Sequence, residues 1–207
     1  MYKLYWSPDT GAFAPHAVLE EVGAAYELSR VDTTKGEHRT PAFLALNPRG
    51  QIPALALPDG TVISESAAMV LHLADAHPAA GLLPPPGDSA RAQVYRWLFF
   101  CVANIYEADL RYYCPERYTD DPAGRDGVRA AGARQMRDSF AIIERSLDPG
   151  PFLLGTRTSV ADLYLTMLAN WGSAAEAATG CPRIAKLCAL VRARPAVARI
   201  WSQNFPR

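Results

Sequence analysis

The sequence predicts two domains in series, an α/β domain with a mixed sheet over residues 1–77 and an all-helical domain over 89–207. Strand and helix patterns alternate in the first part, whereas only helical patterns follow in the second. Between them lies "PAAGLLPPPGD" (78–88), a linker too rich in proline and glycine to hold a regular element. At 207 residues and 49% hydrophobic composition, the chain has enough apolar side chains for two cores.

The first domain shows strand and helix signals in the order β-α-β-α-β-β-α. Short aromatic or alternating runs predict the strands, and an Asp-Gly turn joins the last two strands into a hairpin. A strand–helix–strand unit implies a parallel pair and the hairpin is antiparallel, so the sheet is predicted to be mixed. The predicted elements are a strand at 2–6, a helix from Pro15 to Gly23, a strand at 26–32, a helix at 40–48, strands at 52–57 and 61–64, and a helix at 65–77.

The second domain is predicted to be a bundle of helices. The helix at 89–113 is apolar on more than one face, as expected of a helix buried between neighbours. Ser159 followed by Asp162 resembles a capping box at the start of a helix at 158–174, with aspartate in place of the usual glutamate or glutamine. The other predicted helices are 124–147, 182–193 and 195–203.

Composition restricts the classes of function. Lys plus Arg and Asp plus Glu number 21 each, so the formal net charge is zero and gives no electrostatic reason to expect a nucleic acid or an anionic membrane as partner. The four cysteines show neither CxxC nor Cys/His spacing, so we predict reduced thiols and no metal site. The N-terminus lacks a secretory signal pattern and no apolar run could span a bilayer, so we expect a cytoplasmic protein.

Three features of the first domain indicate a ligand site, and the first is "GQIPAL" (50–55). Here an apolar residue precedes a proline at the start of a strand. A cis Ile52–Pro53 bond would turn the preceding backbone N–H and C=O outward, where an extended peptide can pair with them. The alternative is an ordinary trans proline on an edge strand, because most X–Pro bonds are trans.

The second feature is "SES" (64–66) at the head of a helix, where unpaired N–H groups bind carboxylates. Ser66 can add a hydroxyl donor to the same carboxylate, and Glu65 can pair with an ammonium group, which together suit an α-amino-acid end. The alternative is that Ser64 or Glu65 merely caps the helix. The third feature is the loop after the first strand, because ligands of α/β sheets bind outside the carboxyl ends of the strands.

Four stretches of the chain resemble the cytosolic glutathione transferases, most closely the bacterial beta-type members. They are "SPDTGAFAPHAVLEEVG" (7–23), "LNPRGQIPAL" (46–55), "DGTVISESAAMVLHLAD" (59–75) and "TSVADLYL" (158–165). The resemblance implies a thioredoxin-like domain that binds glutathione and a helical domain that supplies the pocket for a small hydrophobic electrophile. It also implies a homodimer in which glutathione is the co-substrate and its thiolate is conjugated to the electrophile.

The resemblance also implies a set of glutathione-binding residues. They are Lys35, Gln51, Ile52, Pro53, Glu65 and Ser66. The backbone of Ile52 would pair with the cysteinyl part of glutathione, beside a cis Pro53. Glu65 and Ser66 would hold the γ-glutamyl end. Lys35 and Gln51 are expected to contact the glycine carboxylate.

The loop after the first strand departs from the beta-type pattern. Gly11 and Ala12 stand where those relatives carry a cysteine followed by a serine, and neither side chain can donate a hydrogen bond. The thiolate must then be stabilised by other groups. We expect the Thr10 hydroxyl to be the first candidate and the Ser7 hydroxyl the second, with the backbone N–H groups of Gly11 to Phe13 beside them.

The helical domain departs from the pattern as well. Tyr106 and Glu107 stand where those relatives often carry a histidine and a lysine. The residues predicted to line the second-substrate pocket are Phe13, Tyr106, Leu110 and Tyr113, although Leu110 and Tyr113 fit core packing equally well. Two functions therefore stay open: a glutathione transferase or related glutathione-dependent enzyme, and a glutathione-binding or interaction protein of the same fold without turnover.

Overall fold

The computed structural model describes residues 1–147 and 149–206 and divides into two compact units. The first unit comprises Met1–Leu83 together with the segment that begins at Arg192, and the second runs from Pro84 to Val191. The change from one unit to the next at Leu83 falls within the predicted linker. The segment after Arg192 belongs to the α/β unit. Local sequence patterns cannot predict this association, because the two parts are far apart in the chain.

A four-stranded mixed sheet forms the centre of the first unit, as predicted. Its strands are β1 (Tyr2–Trp6), β2 (Tyr26–Arg30), β3 (Ala54–Ala56) and β4 (Val62–Ile63), in the order β2-β1-β3-β4. Strand β1 runs parallel to β2 and antiparallel to β3, and β3 and β4 form the predicted hairpin. Alternate residues of β1 are buried, so that Leu4 and its neighbours two positions away face the core.

Three helices of the first unit precede the linker: α1 (Phe13–Glu21), α2 (Pro41–Leu46) and α3 (Ser66–Ala76). Helix α1 begins at Phe13, two positions before the predicted Pro15, because proline is tolerated anywhere in the first turn of a helix. Gly23 follows α1 in the left-handed conformation, with φ 65°, in agreement with the predicted end.

The second unit is built from helices. These are α4 (Ser89–Phe100), a π-helical segment (Cys101–Tyr106), α5 (Glu107–Tyr113), α6 (Arg125–Ser146), α7 (Val160–Ala169), α8 (Gly172–Ala177) and α9 (Pro182–Arg192). The predicted helix at 89–113 thus contains a wider π turn before α5. The predicted helix at 158–174 is in fact two helices, because Trp171 between α7 and α8 has an extended backbone.

The capping box predicted at the start of α7 is confirmed. The Asp162 carboxylate accepts hydrogen bonds from the backbone N–H of Ser159 at 2.7 Å and from its hydroxyl at 2.8 Å. Its other oxygen accepts the backbone N–H of Leu153 at 2.8 Å. The buried Asp162 side chain therefore provides hydrogen-bond acceptors both for the start of α7 and for the backbone at Leu153.

The last helix, α10 (Pro195–Asn204), belongs to the first unit and packs on α1. Two ion pairs join the helices: Arg194 to Glu21 at 2.7 Å, and Arg199 to Glu20 at 2.8 Å. No helix in the described part of the chain has the length and apolar character needed to cross a membrane.

Candidate active site

Strand register brings the predicted glutathione residues to one end of the sheet. Tyr5 pairs with Ala54 in the antiparallel β1–β3 ladder, so continuing that register places Ile52 opposite Ser7. Leu55 pairs with Ile63 in the hairpin, which places Glu65 beside Pro53 just beyond the end of β4. The side chains and backbone groups that the sequence singled out separately thus converge beyond the carboxyl end of β1.

The turn before β3 presents an unpaired backbone. The Ile52–Pro53 bond is cis, as the resemblance implies. Among residues 1–147 and 149–206, no hydrogen bond is made to the backbone N–H or C=O of Ile52. The side chain of Asn47, which is buried, donates to the Gln51 carbonyl at 2.8 Å and holds the turn. An extended peptide can therefore pair with Ile52 without displacing a protein group.

Gly50 shapes the same turn. Its φ of 58° lies in the left-handed region, and a Cβ added there would lie only 2.9 Å from the His38 carbonyl oxygen. Only glycine therefore fits without moving the backbone that precedes Ile52.

Glu65, the N-cap residue of α3, has an unusual backbone conformation. Its φ of 64° and ψ of 101° lie outside the common regions for a residue with a side chain, a conformation that tends to persist at functional sites. Within the described residues its carboxylate forms neither an ion pair nor a hydrogen bond. Ser66, the first residue of α3, is buried at the helix N-terminus. A free carboxylate thus lies beside a helix end that attracts anions.

The two residues expected to bind the glycine carboxylate lie at the surface. The Lys35 ammonium is 3.3 Å from the Asp32 carboxylate. Hydrogen bonds from the Thr34 side chain and from Lys35 lower the pKa of Asp32 to about 2. The Gln51 side-chain oxygen accepts the Arg49 Nε–H at 3.0 Å. Arg49, which the sequence reasoning missed, is a cation beside Gln51.

The hydroxyl group of Thr10 is used within its own loop. It donates to the Ser7 carbonyl at 2.6 Å and accepts the backbone N–H of Ala12 at 3.3 Å. The Phe13 N–H points to the Thr10 carbonyl at 3.4 Å. Within the described chain this leaves the Ser7 hydroxyl and the N–H groups of Ser7, Thr10 and Gly11 without a partner. The one proton of the Thr10 hydroxyl is donated within the loop, which favours Ser7 as the side-chain donor for a ligand.

The C-terminal helix α10 contacts the loop between β1 and α1, residues 7–12, which is named the thiol loop for the role proposed below. Asp9 has a left-handed φ of 52°, and its N–H donates to the Asn204 carbonyl at 2.8 Å. The Asn204 side-chain amide donates to His16 Nδ1 and to the Ile200 carbonyl, at 3.0 Å each. Asn204 is 2% exposed and His16 fully buried. The end of α10 thus fixes both the loop and the helix that follows it.

A hydrogen-bond chain runs from Asn204 to the surface. The Tyr26 hydroxyl donates to the Glu20 carboxylate, so it accepts from His16 Nε2 at 2.9 Å, which leaves Nδ1 as the acceptor for Asn204. Burial lowers the pKa of His16 to about 4 and raises the pKa of Tyr26. The imidazole is therefore neutral at physiological pH, with its proton on Nε2 and its acceptor at Nδ1.

Phe13 does not line a pocket. Its side chain is 1% exposed and packs against Trp201 and Phe205 of the C-terminal segment, with ring centroids 5.4 Å and 5.0 Å away. These three rings form an aromatic core under the thiol loop. The sequence suggested that Phe13 lines a pocket, because local patterns do not show that Phe13 packs against the C-terminal segment.

The other three predicted pocket residues share one face of the second unit. The Tyr106 ring meets the buried Trp171 ring edge-on, with centroids 4.9 Å apart. Leu110 is half-buried, and Tyr113 is 54% exposed while its hydroxyl accepts the Ser173 N–H at 3.1 Å. The face is therefore partly accessible and is bordered by the segment 171–173.

The fold and this site define a thioredoxin-like glutathione-binding class of protein followed by a helical unit. Two family models match the chain, the N-terminal domain of glutathione S-transferase over residues 12–76 and its C-terminal domain over 117–202. The chain belongs to the glutathione S-transferase family.

Individual relatives agree with this assignment. A glutathione S-transferase from Zea mays is 31% identical over 97% of this chain and 86% of its own. The structure of a glutathione transferase homologue from Sulfitobacter with bound glutathione matches with a TM-score of 0.90 at 28% identity, over 99% of both chains. A bacterial beta-class glutathione S-transferase from Sphingomonas chungbukensis matches with a TM-score of 0.82 at 27% identity, over 98% of both chains. The similarity thus extends to the beta class.

Proposed function

We propose that this protein conjugates the thiolate of glutathione to a small hydrophobic electrophile, with the Ser7 hydroxyl and the Gly11 N–H as thiolate donors. The observation that supports the proposal is the set of unpartnered donors in this loop, of which Ser7 is opposite the unpaired backbone of Ile52 when the strand register is continued. A peptide cysteine paired with Ile52 would bring its sulfur to this loop. The loop therefore needs neither cysteine nor serine at positions 11 and 12.

The required stabilisation of the thiolate is modest. A free thiol with a pKa of about 8.5 is mostly protonated at neutral pH, and a downward shift of about two units requires roughly 2.7 kcal/mol. Hydrogen bonds to a charged group contribute about 1.5–3 kcal/mol each, so two donors at a helix N-terminus are sufficient.

The remaining groups suit the two ends of the tripeptide. The free Glu65 carboxylate and the start of α3 at Ser66 fit an α-ammonium and an α-carboxylate on one carbon. Lys35, Arg49 and Gln51 give the glycine carboxylate its cations and an amide donor. We also propose a homodimer that acts in the cytoplasm, on the basis of the family resemblance.

A substitution at Ser7 tests the assignment of the donor. Ser7→Ala should lower kcat/KM for a neutral aromatic electrophile about tenfold below neutral pH, with recovery at alkaline pH where glutathione ionises without help. Ser29→Ala in β2 is the matched control and should leave the pH profile unchanged. A Ser7→Ala profile identical to that of the parent protein would assign activation to the backbone alone.

The second candidate function is glutathione binding without turnover, favoured by the small side chains of Gly11 and Ala12. Calorimetry would then show glutathione binding whereas electrophile assays would show no acceleration over the uncatalysed reaction. Binding with turnover would exclude this alternative.

A further inference from the structure

Asp109 is a buried carboxyl group that the glutathione site does not use. It lies on α5 of the second unit and is only 5% exposed. Within the described chain no Lys, Arg or His forms an ion pair with it. Buried carboxylates are rare without a cation, because desolvation opposes their charge. Its one neighbouring partner is the Ser173 hydroxyl, which donates to Oδ1 at 2.5 Å.

The carboxyl retains unused hydrogen-bonding capacity. In the part of the chain that the structure describes, Oδ2 of Asp109 accepts no hydrogen bond and is not enclosed away from solvent. Burial raises the pKa of Asp109 to about 6, and the Ser173 hydroxyl opposes that rise, so the group is mostly ionised at neutral pH. A carboxylate oxygen with no protein donor is a strong acceptor for a donor supplied by a ligand.

Asp109 shares a helix face with the predicted second-substrate residues. Positions 106, 109, 110 and 113 recur at helical spacing, so their side chains project from the same side. Three of these side chains contact one segment: Tyr106 meets Trp171, while Asp109 and Tyr113 both bond to Ser173. The carboxyl is therefore part of the same surface as the aromatic rings.

The segment 171–173 has a second unused polar group. The indole N–H of Trp171 is buried and finds no acceptor among the described residues. Such a group is costly unless a ligand or a water satisfies it. A donor and an acceptor without protein partners thus accompany an otherwise aromatic surface, as in pockets that use a few polar groups for specificity.

We propose that the α5 face of the second unit binds a small aromatic molecule that carries a hydroxyl or amine donor, with Asp109, held by Ser173, as the acceptor. The inference goes beyond the proposed function and depends on the second unit alone. An aromatic ligand would lie against Tyr106 and Tyr113 and donate a hydrogen bond to Oδ2. Anionic ligands would be rejected by the carboxylate.

Two small aromatic molecules test the proposal without glutathione. They are 4-methylbenzyl alcohol and para-xylene, which differ by one hydroxyl group. Calorimetry at neutral pH should show the alcohol binding about tenfold more tightly, as expected for a hydrogen bond to a charged group. Equal affinities would overturn the proposal.

A nearly isosteric substitution assigns the preference to Asp109. Asp109→Asn keeps an oxygen for Ser173 but replaces the charged acceptor with a neutral amide, so the preference should fall to about threefold or less, because the ligand hydroxyl then forms only a neutral hydrogen bond. Asp138→Asn, at an exposed position of α6, is the matched control and should keep the preference. Ser173→Ala, which releases the carboxyl, should reduce the preference and serves if Asp109→Asn does not fold. A preference that stays undiminished in both Asp109→Asn and Ser173→Ala would overturn the assignment.

The proposed function is tested separately, with para-hydroxymethylbenzyl chloride as electrophile. In that reaction the glutathione sulfur forms a bond to the benzylic carbon, chloride leaves with the bonding electrons, and the thiol proton passes to solvent. If the protein prefers 4-methylbenzyl alcohol to para-xylene but does not accelerate this reaction, the proposed conjugation fails and the ligand preference of the α5 face stands. Acceleration without a preference between the two molecules supports the proposed function and overturns the inference about Asp109.

Discussion

The thiol loop of the first unit and the α5 face of the second unit are built from different kinds of groups. The loop and the turn before β3 offer mainly backbone groups, the N–H groups of Thr10 and Gly11 and the peptide groups of Ile52. The α5 face offers side chains, with Asp109 and two tyrosines on one side of a helix. Backbone groups persist whatever the side chains are, whereas the α5 face depends on which side chains the sequence places there.

The two regions should respond to acid in opposite directions, and this is the largest effect we expect. The pKa of His16 is lowered to about 4 in the folded protein, so acid protonates the unfolded chain first and the first unit loses up to about 3 kcal/mol as the pH falls from 6.5 to 4. The pKa of Asp109 is raised to about 6, so the folded second unit binds the proton first and gains stability as the pH falls from 6 towards 4.

Hydrogen exchange measured separately for the two units checks this expectation. Peptides from α1 should exchange faster as the pH falls through this window, after correction for the intrinsic rate, and peptides from α5 should exchange more slowly. His16→Gln should remove the first response and Asp109→Asn the second. Parallel pH responses in both units would contradict the account.

Asn204 provides the next largest effect, because it joins the C-terminal helix to the first unit's site. Asn204→Ala leaves His16 Nδ1 without a donor in a buried place and should cost about 2 kcal/mol in the free energy of unfolding. The thiol loop should also loosen, so the pKa of bound glutathione should rise. Gln203→Ala, one position earlier and exposed, is the control for urea unfolding and thiol titration. Equal effects of the two substitutions would refute the role of Asn204.

Gly50 gives the smallest of these effects and tests the backbone character of the glutathione site. Gly50→Ala combines a left-handed φ with a 2.9 Å approach to the His38 carbonyl, whereas Gly23→Ala has a similar φ and open space around it. Both should lose about 1 kcal/mol of stability from the backbone conformation. Only Gly50→Ala should also weaken glutathione binding, measured by calorimetry, because it displaces the turn before Ile52.

Local patterns predicted the elements of the fold well, and long-range pairings poorly. Strand β1 occupies the predicted residues 2–6, and the capping box at Ser159 and Asp162 is present because both depend on neighbouring positions. The contact between Asn204 and His16 joins positions 188 residues apart, and no periodicity reports such a pairing. The burial of Phe13 under the C-terminal segment was missed for the same reason.

The site shows the same division. Resemblance indicated Ile52, Glu65 and Ser66, and strand register places them together at one end of the sheet. The choice between Thr10 and Ser7 could not be made from sequence, since both are hydroxyl residues of one loop. It depends on a single hydrogen bond, from the Thr10 hydroxyl to the Ser7 carbonyl at 2.6 Å.

The pKa of the glutathione thiol in complex with the protein tests the central claim most directly. Glutathione is titrated over pH in the presence of saturating protein, and the thiolate is followed by its ultraviolet absorbance. The free donors of the loop predict a bound thiol that ionises about two units below its free value of about 8.5. A bound thiol that ionises at its free value would contradict the account, and glutathione would then be a ligand that the protein holds without activating.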